Sequence, residues 1–442
     1  CFDGSEAKIQ HCRISGNGES GIALNHCGAG LTISDNTIGS NRLTGVSCSS
    51  SLGTISKNTI QGNATVNGSA GGVVCNGNPA PVLEGNTIRN NSAVHGAGGI
   101  SCNWSSPLIV GNTLSENMSV SGCGGAIYCA GSSSVIVQNV IVDNEAMEGG
   151  GIACQNSSPT ITGNRITANT ARGQGGGVSC RSSSPAITGN TIAENVASGQ
   201  GGAIFCYDCL SLTVANNAIR ANAASYAGGG IYCESSVPMI EENEITENTA
   251  GGGGGISIAG ATSVTIGRNR VADNIATSPN GHGGGIACSG TLVEIVENHV
   301  EDNSSSQSAG GIYCSASSLT MTGNCVIGNS AGSAGGVYIQ SDSPMVERNT
   351  IAENVASFGN GGGILLHSQA AGSGVIVRNA IIRNRAAGSG GGASYTGSSV
   401  FSFNTVAENA AAGRGDGIST YASGMTAVRC NIAFNGEGFH KA

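Results

Sequence analysis

The side chains of this sequence best suited to chemistry are three carboxylates that recur at one place in three consecutive repeats. Glu247, Asp273 and Asp302 each stand directly before an Asn. Like charges stacked in this way repel one another. A hard cation taking oxygen ligands would relieve the repulsion, so Ca²⁺ is the one cofactor this run could hold, and no organic cofactor is indicated. The alternative is an acidic stripe left in water, which keeps a repetitive chain soluble. Ca²⁺-assisted proton removal from a uronate also needs a base, and Arg270 and His299 are the nearest candidates.

A second set is aromatic. Tyr128, Phe205, Tyr232, Tyr313 and Tyr338 each sit between an apolar residue and a Cys or Ile, and two pairs, Phe205 with Tyr232 and Tyr313 with Tyr338, fall in adjacent repeats. Rings on an exposed strand face can stack on sugars, although aromatic side chains also suit strands for their own sake. Two long connections, Ala276 to Gly285 and Leu366 to Val375, are where extra function would be grafted, and each carries one His. Neither His has a Ser, Cys or carboxylate at a spacing that suggests a nucleophilic relay.

The elements that position these residues follow from the repeat. Gly149 to Gln174 and Gly175 to Gln200 match at 16 of 26 positions, and variations on this unit run from end to end. A period of this size marks a stacked architecture, in which no unit buries its apolar face alone. One Asn column runs from Asn36 and Asn58 to Asn379 and Asn404. A second lies five residues on, from Asn17 and Asn41 to Asn435, without a gap. Between the columns lies one apolar residue, such as Ile166 or Ile192, and after the glycines comes Ile or Val, one residue, then usually Cys. This is the two-residue period of strands, broken by Gly, Asn and Ser-Ser-Pro.

The expected fold is therefore all-β: a right-handed parallel β-helix solenoid of about 17 turns with three short strands per turn, forming one domain over 1–442. At about 4.8 Å per turn it would be a rod of roughly 80 Å. Asn suits the bends because it tolerates the left-handed backbone region and its amides can hydrogen-bond from turn to turn. The Gly pairs supply positive φ and close approach at another corner.

Ten Cys, from Cys48 to Cys314, form an inward column in which Ile258, Ile339 and Leu366 take the same place, so the position wants a modest apolar group. Reduced thiols are expected there, while pairing among Cys1, Cys12 and Cys27 stays open. Charge is matched between turns: Glu242 and Glu244 are in register with Arg268 and Arg270, and Arg383 lies between Glu353 and Glu408.

A net charge of −9 with no clustered Lys or Arg argues against nucleic acid as a partner. No apolar run of about 18 residues is present to span a membrane. The chain opens at Cys1 in what reads as mid-turn and closes soon after the last recurring Asn. It is expected to be a piece of a longer protein, with any targeting segment or anchor outside it.

Over its full length the chain resembles the pectate-lyase-like superfamily of right-handed β-helices, and the likeness is to the coil and not to a site. Of the polygalacturonase motifs only Gly281-His282-Gly283 is present, at a corner where Gly is expected anyway. Asn-Thr is followed by Ile or Leu, as in Asn36-Thr37-Ile38, so the catalytic assignment does not carry over. The repeats are also similar to those of chlamydial polymorphic outer-membrane proteins. Gly124-Gly125-Ala126-Ile127 and Gly201-Gly202-Ala203-Ile204 match their Gly-Gly-Ala-Ile, and Ile192-Ala193-Glu194-Asn195 is a variant of their Phe-x-x-Asn. This likeness implies a passenger-like surface repeat. The expectation is a secreted or outer-surface monomer acting as an adhesive or structural rod, with a polysaccharide or cell-surface glycan as partner. The alternatives are a polysaccharide lyase or glycoside hydrolase, and a non-catalytic carbohydrate-binding solenoid.

Overall fold

The computed structural model describes residues 7–367, 374–396, 399–421, 426–433, 435–436 and 439–441. Cys1 and residues 368–373 of the second long connection lie outside them. The chain divides into two compact units, Cys1–Ala224 and Ser225–Ala442. Each is a parallel β-solenoid, and no helix occurs among the described residues.

In the first unit, one turn runs through Val178–Arg181, Ala186–Thr188, Thr191–Ala193 and Val196–Ala197. Each strand pairs in parallel with its counterpart in the preceding turn: Val178 opposite Ile152, Ile187 opposite Ile161, Ile192 opposite Ile166 and Ala197 opposite Ala171. The four segments make three sheets, because the first two belong to one bent sheet. The third sheet is not one of the apolar patches visible in the sequence. In the first unit its strands are two residues long and bury one small side chain, as Ala171 and Ala197 do, so no alternation announces it.

Inside, Val178, Cys180, Ile187 and Ile192 are fully buried, one above another with identical or similar residues of neighbouring turns. Burying such columns supplies the main driving force, at about 25 cal/mol per Å² of apolar surface. The bends differ from expectation in one respect. The left-handed conformation belongs to the residue before each Asn, as at Gly189 (φ 63°) and Glu194 (φ 59°), and not to the Asn itself.

That leaves the Asn side chain free to turn inward. Asn190 donates from Nδ2 to Ile161 O at 2.9 Å and Asn217 Oδ1 at 3.0 Å, while its Oδ1 accepts from both the backbone and the side chain of Asn164. Each buried amide is thus satisfied by the turns above and below, which a buried polar group requires. At the opposite corner Gly175 has a φ of 68°, and a Cβ on Gly176 would lie 2.4 Å from Gly202 O.

In the second unit the bend inside the first sheet disappears over several turns. Ile256–Gly267, Ile286–Val296, Ile312–Thr322 and Val337–Glu347 are long continuous strands. In three of them the residue two after the Cys column is extended: Gly290, Ala316 and Ser341 are in register with one another, where Ser182 in the first unit takes φ 46°. Ile256–Gly267 keeps the left-handed residue, Gly260 at φ 61°, and its pairing with the next strand shifts register there.

The inward Cys column is present as drawn from the sequence. Cys48, Cys75, Cys102, Cys129, Cys154, Cys180 and Cys206 follow one another in register in the first unit. In the second, Cys233, Ile258, Cys288, Cys314, Ile339 and Leu366 do the same. None of these cysteines is joined in a disulfide, and neither are Cys12 and Cys27. Side chains of adjacent parallel strands point the same way, which keeps neighbouring sulfurs from the geometry a disulfide needs.

Candidate binding faces

The acidic run lies in the second unit. Glu247, Asp273 and Asp302 are the left-handed residues of their bends, with φ of 59°, 56° and 51°, and this conformation throws their side chains into solvent. None of the three forms an ion pair among the described residues. Partial burial and the charge of Asp273 hold the Asp302 carboxyl above its usual range.

Both candidate bases are engaged elsewhere. Glu301 takes Arg270 at 2.6 Å on one oxygen and His299 Nε2 at 2.7 Å on the other, and Arg270 also reaches Glu244 at 3.5 Å. Burial pushes the Glu301 carboxyl up, but His299 and Arg270 outweigh it and hold the group below its usual range. The other expected pairs form too: Arg268 with Glu242 at 3.1 Å, and Arg383 with Glu353 at 2.6 Å and Glu408 at 3.8 Å. No three His, Cys, Asp or Glu side chains among the described residues converge as a metal-holding group.

The aromatic pair of the second unit is part of a longer stack. Tyr313 and Tyr338 are in register, with centroids 4.9 Å apart and planes 8° from parallel. His282, from the first long connection, stacks on Tyr313 at 4.6 Å and 14°. His367 lies against Tyr338 at 5.4 Å, tilted by 38°, and shares a 2.9 Å hydrogen bond between its Nδ1 and Thr396 Oγ1. The two loop histidines, unremarkable in sequence, are thereby brought to one face. Both faces of the Tyr313 ring are covered by its neighbours, so this ring presents its edge to solvent where a sugar-stacking platform would present a face. Burial holds His282 and His367 below the usual imidazole range. His282 Nδ1 is buried with no hydrogen-bond partner.

Phe205 and Tyr232 are not on an open face either. They are 2% and 7% exposed. The glycine corner that precedes each strand folds back over it: a Cβ on Gly201 would lie 2.7 Å from Phe205 Cβ, and one on Gly228 2.8 Å from Tyr232 Cβ. The Arg181 guanidinium also lies 4.9 Å from the Phe205 ring centre, and the Tyr232 hydroxyl donates to Glu234 Oε2 at 3.1 Å.

Tyr128, in the first unit, is the outward aromatic residue with a different setting. Its register neighbours are small, Ser101 in the turn before and Ala153 in the turn after. A cleft opens on each side: one of about 220 Å³ with Asn67, Ser69, His95 and Asn103, and one of about 230 Å³ with Glu148, Gln155 and Arg181. The ring packs against Ala70, Val74 and Ala97, and its hydroxyl donates to Gln155 Oε1 at 2.7 Å. Arg181 grips Glu148 through two hydrogen bonds of 2.7 and 2.8 Å and donates a third to Gln174 Oε1 at 2.7 Å. The sequence does carry a signal for this setting, an aromatic residue with Ser and Ala one repeat away on either side. Looking for paired aromatics passes over it.

Comparison with known proteins bears on the coil alone. A family model described as a right handed beta helix region matches residues 1–145, 98–271 and 176–351. No curated protein and no solved structure matches the chain.

Proposed function

This chain belongs to the right-handed β-helix family, and we propose that it works without catalysis, as a secreted or surface-displayed adhesive or structural scaffold. The observation that supports this reading is the disposition of its charged groups. Catalysis of the kind known for carbohydrates needs an acid or base held free in a cleft with a shifted pKa. In the second unit the basic side chains nearest the acidic run, Arg270 and His299, are both bound to Glu301. Arg268 and Arg383 are likewise spent on carboxylates of adjacent turns. These basic side chains are thus neutralised by carboxylates, and none of them is left free beside Glu247, Asp273 and Asp302. A bound Ca²⁺ at Glu247, Asp273 and Asp302 would, on this reading, stabilise the fold by relieving repulsion.

The experiment incubates the chain with polygalacturonate, alginate and other uronates, with and without Ca²⁺, and follows unsaturated product and reducing ends. No turnover is expected under either condition. Turnover that disappears in Asp273→Asn would overturn the scaffold reading in favour of a lyase.

A further inference from the structure

We propose that the groove divided by Tyr128 on the first unit binds a neutral glycan chain, with one sugar residue on either side of the tyrosine ring. The inference rests on the scaffold reading above and names what the scaffold would hold.

Three observations carry it. The first is that Tyr128 is a fixed ring with space beside it. Its hydroxyl is pinned to Gln155, its body rests on Ala70, Val74 and Ala97, and Ser101 and Ala153 are too small to fill the places that rings fill around Tyr313. Such a ring offers apolar contact area at little entropic cost, as aromatic anchors at binding surfaces do.

The second is size. The clefts, of about 220 and 230 Å³, each fall below the roughly 300 Å³ at which pockets for drug-sized ligands begin. Each therefore suits a single ring, and their placement on either side of one side chain suits a chain of rings running along the sheet.

The third is the chemistry of the walls. Asn67, Ser69 and Asn103 line one cleft, and Gln155 and Ser179 line the other. These amides and hydroxyls both donate and accept, which matches sugar hydroxyls. The only formal charges in the second cleft, Glu148 and Arg181, are tied together in a bidentate pair. Neither is free to meet a charged ligand, so a uronate or sulfated chain finds no counter-charge there without breaking this partly exposed bidentate pair, which favours a neutral chain.

The test is titration calorimetry of the whole chain with cellohexaose and chitohexaose, and with oligogalacturonate as the acidic comparison. At least one neutral hexasaccharide is expected to bind, and oligogalacturonate to bind at least tenfold more weakly. Tyr128→Ala should weaken the neutral interaction at least tenfold. Ala153→Tyr should do the same while keeping Tyr128, because it places a second ring against the first, as Tyr338 is placed against Tyr313. Unfolding midpoints of both variants are measured alongside, so that a loss of fold is not mistaken for a loss of site. Failure of both neutral ligands to bind, binding unchanged in both variants, or preference for the acidic chain would each overturn the proposal. None of these outcomes touches the scaffold reading, which stands or falls on uronate turnover.

Discussion

Asn195 Oδ1 accepts two hydrogen bonds from Asn169, one from its backbone N–H and one from its side chain, each 3.0 Å long. Asn195 in turn donates to Ile166 O at 2.9 Å and to Asn222 Oδ1 at 3.0 Å, and it is fully buried. Truncation would remove these bonds and leave the buried Asn169 backbone N–H without its acceptor, while the Asn169 side chain keeps Ile141 O and Thr167 O. Asn195→Ala is therefore expected to cost about 1 to 3 kcal/mol, the penalty for unsatisfied buried groups. Denaturant unfolding measures it, and a change near zero would remove the ladder from the list of stabilising features.

Burial also decides the behaviour of the thiols. It pushes Cys314 up to about 12 and Cys288 well above the ordinary thiol range, while hydrogen bonds from neighbouring column thiols hold Cys180 and Cys129 below that range; all four are sealed from solvent, and it is this lack of access that protects them. A thiol reagent is expected to modify the exposed Cys12 in the native protein and to leave the ten-residue inward column unmodified. After unfolding without reductant every column Cys should react. A column that stays unreactive when unfolded would mean disulfides and would contradict the register described here.

The acidic run predicts a dependence on pH and on Ca²⁺. The Asp302 carboxyl is raised in the folded state, so the native chain holds this proton more tightly than the unfolded chain does. Stability from this group then falls as pH rises from the ordinary Asp value of about 3.9 through the raised folded value, and stays reduced above it. Asp302→Asn removes that loss. Its advantage in unfolding midpoint should grow across this window and level off at neutral pH. Ca²⁺ at neutral pH should raise the midpoint of the wild-type chain more than that of the variant. Equal responses in the two chains would leave the stripe as solvated charge.

The ring stack predicts the opposite trend at milder pH. His282 is held below the usual imidazole range by burial, so the unfolded chain takes up the proton first. Stability from this group is present above about pH 6.5 and is lost as pH falls through the depressed folded value. His282→Phe keeps a ring against Tyr313 and cannot titrate. Its unfolding midpoint should fall less than that of the wild type between about pH 7 and pH 5. Superimposable profiles would show that the stack does not respond to protonation.

Much of the coil was legible because a solenoid repeats its reasons. Each turn places Ile192, Asn195 or Cys180 in an environment built by the same residues one turn away, so a column in the sequence is a column in space. The paired charges followed the same logic, since Arg383 is in register with Glu353 and Glu408 whatever else the fold does. Columns of one type could be read without coordinates.

What repetition could not supply is how far a side chain stands from the next element that is not its register neighbour. Phe205 and Tyr313 occupy the same place in their repeats. Phe205 is closed in by a glycine corner and by Arg181, whereas Tyr313 is capped by a histidine from an inserted loop. Asn and the acidic residue before it share a bend, yet only the φ values show that the acidic residue takes the left-handed position and the Asn turns inward. The sequence by itself determined the coil, its interior columns and the charge pairs that lie in register, because these depend on contacts between equivalent positions; the Arg181–Glu148 and Arg270–Glu301 pairs do not, and only the structure shows them. Whether an outward ring is buried, stacked or left beside an open cleft was decided only by the tertiary structure, because loops of unequal length and neighbours of unequal size set that distance.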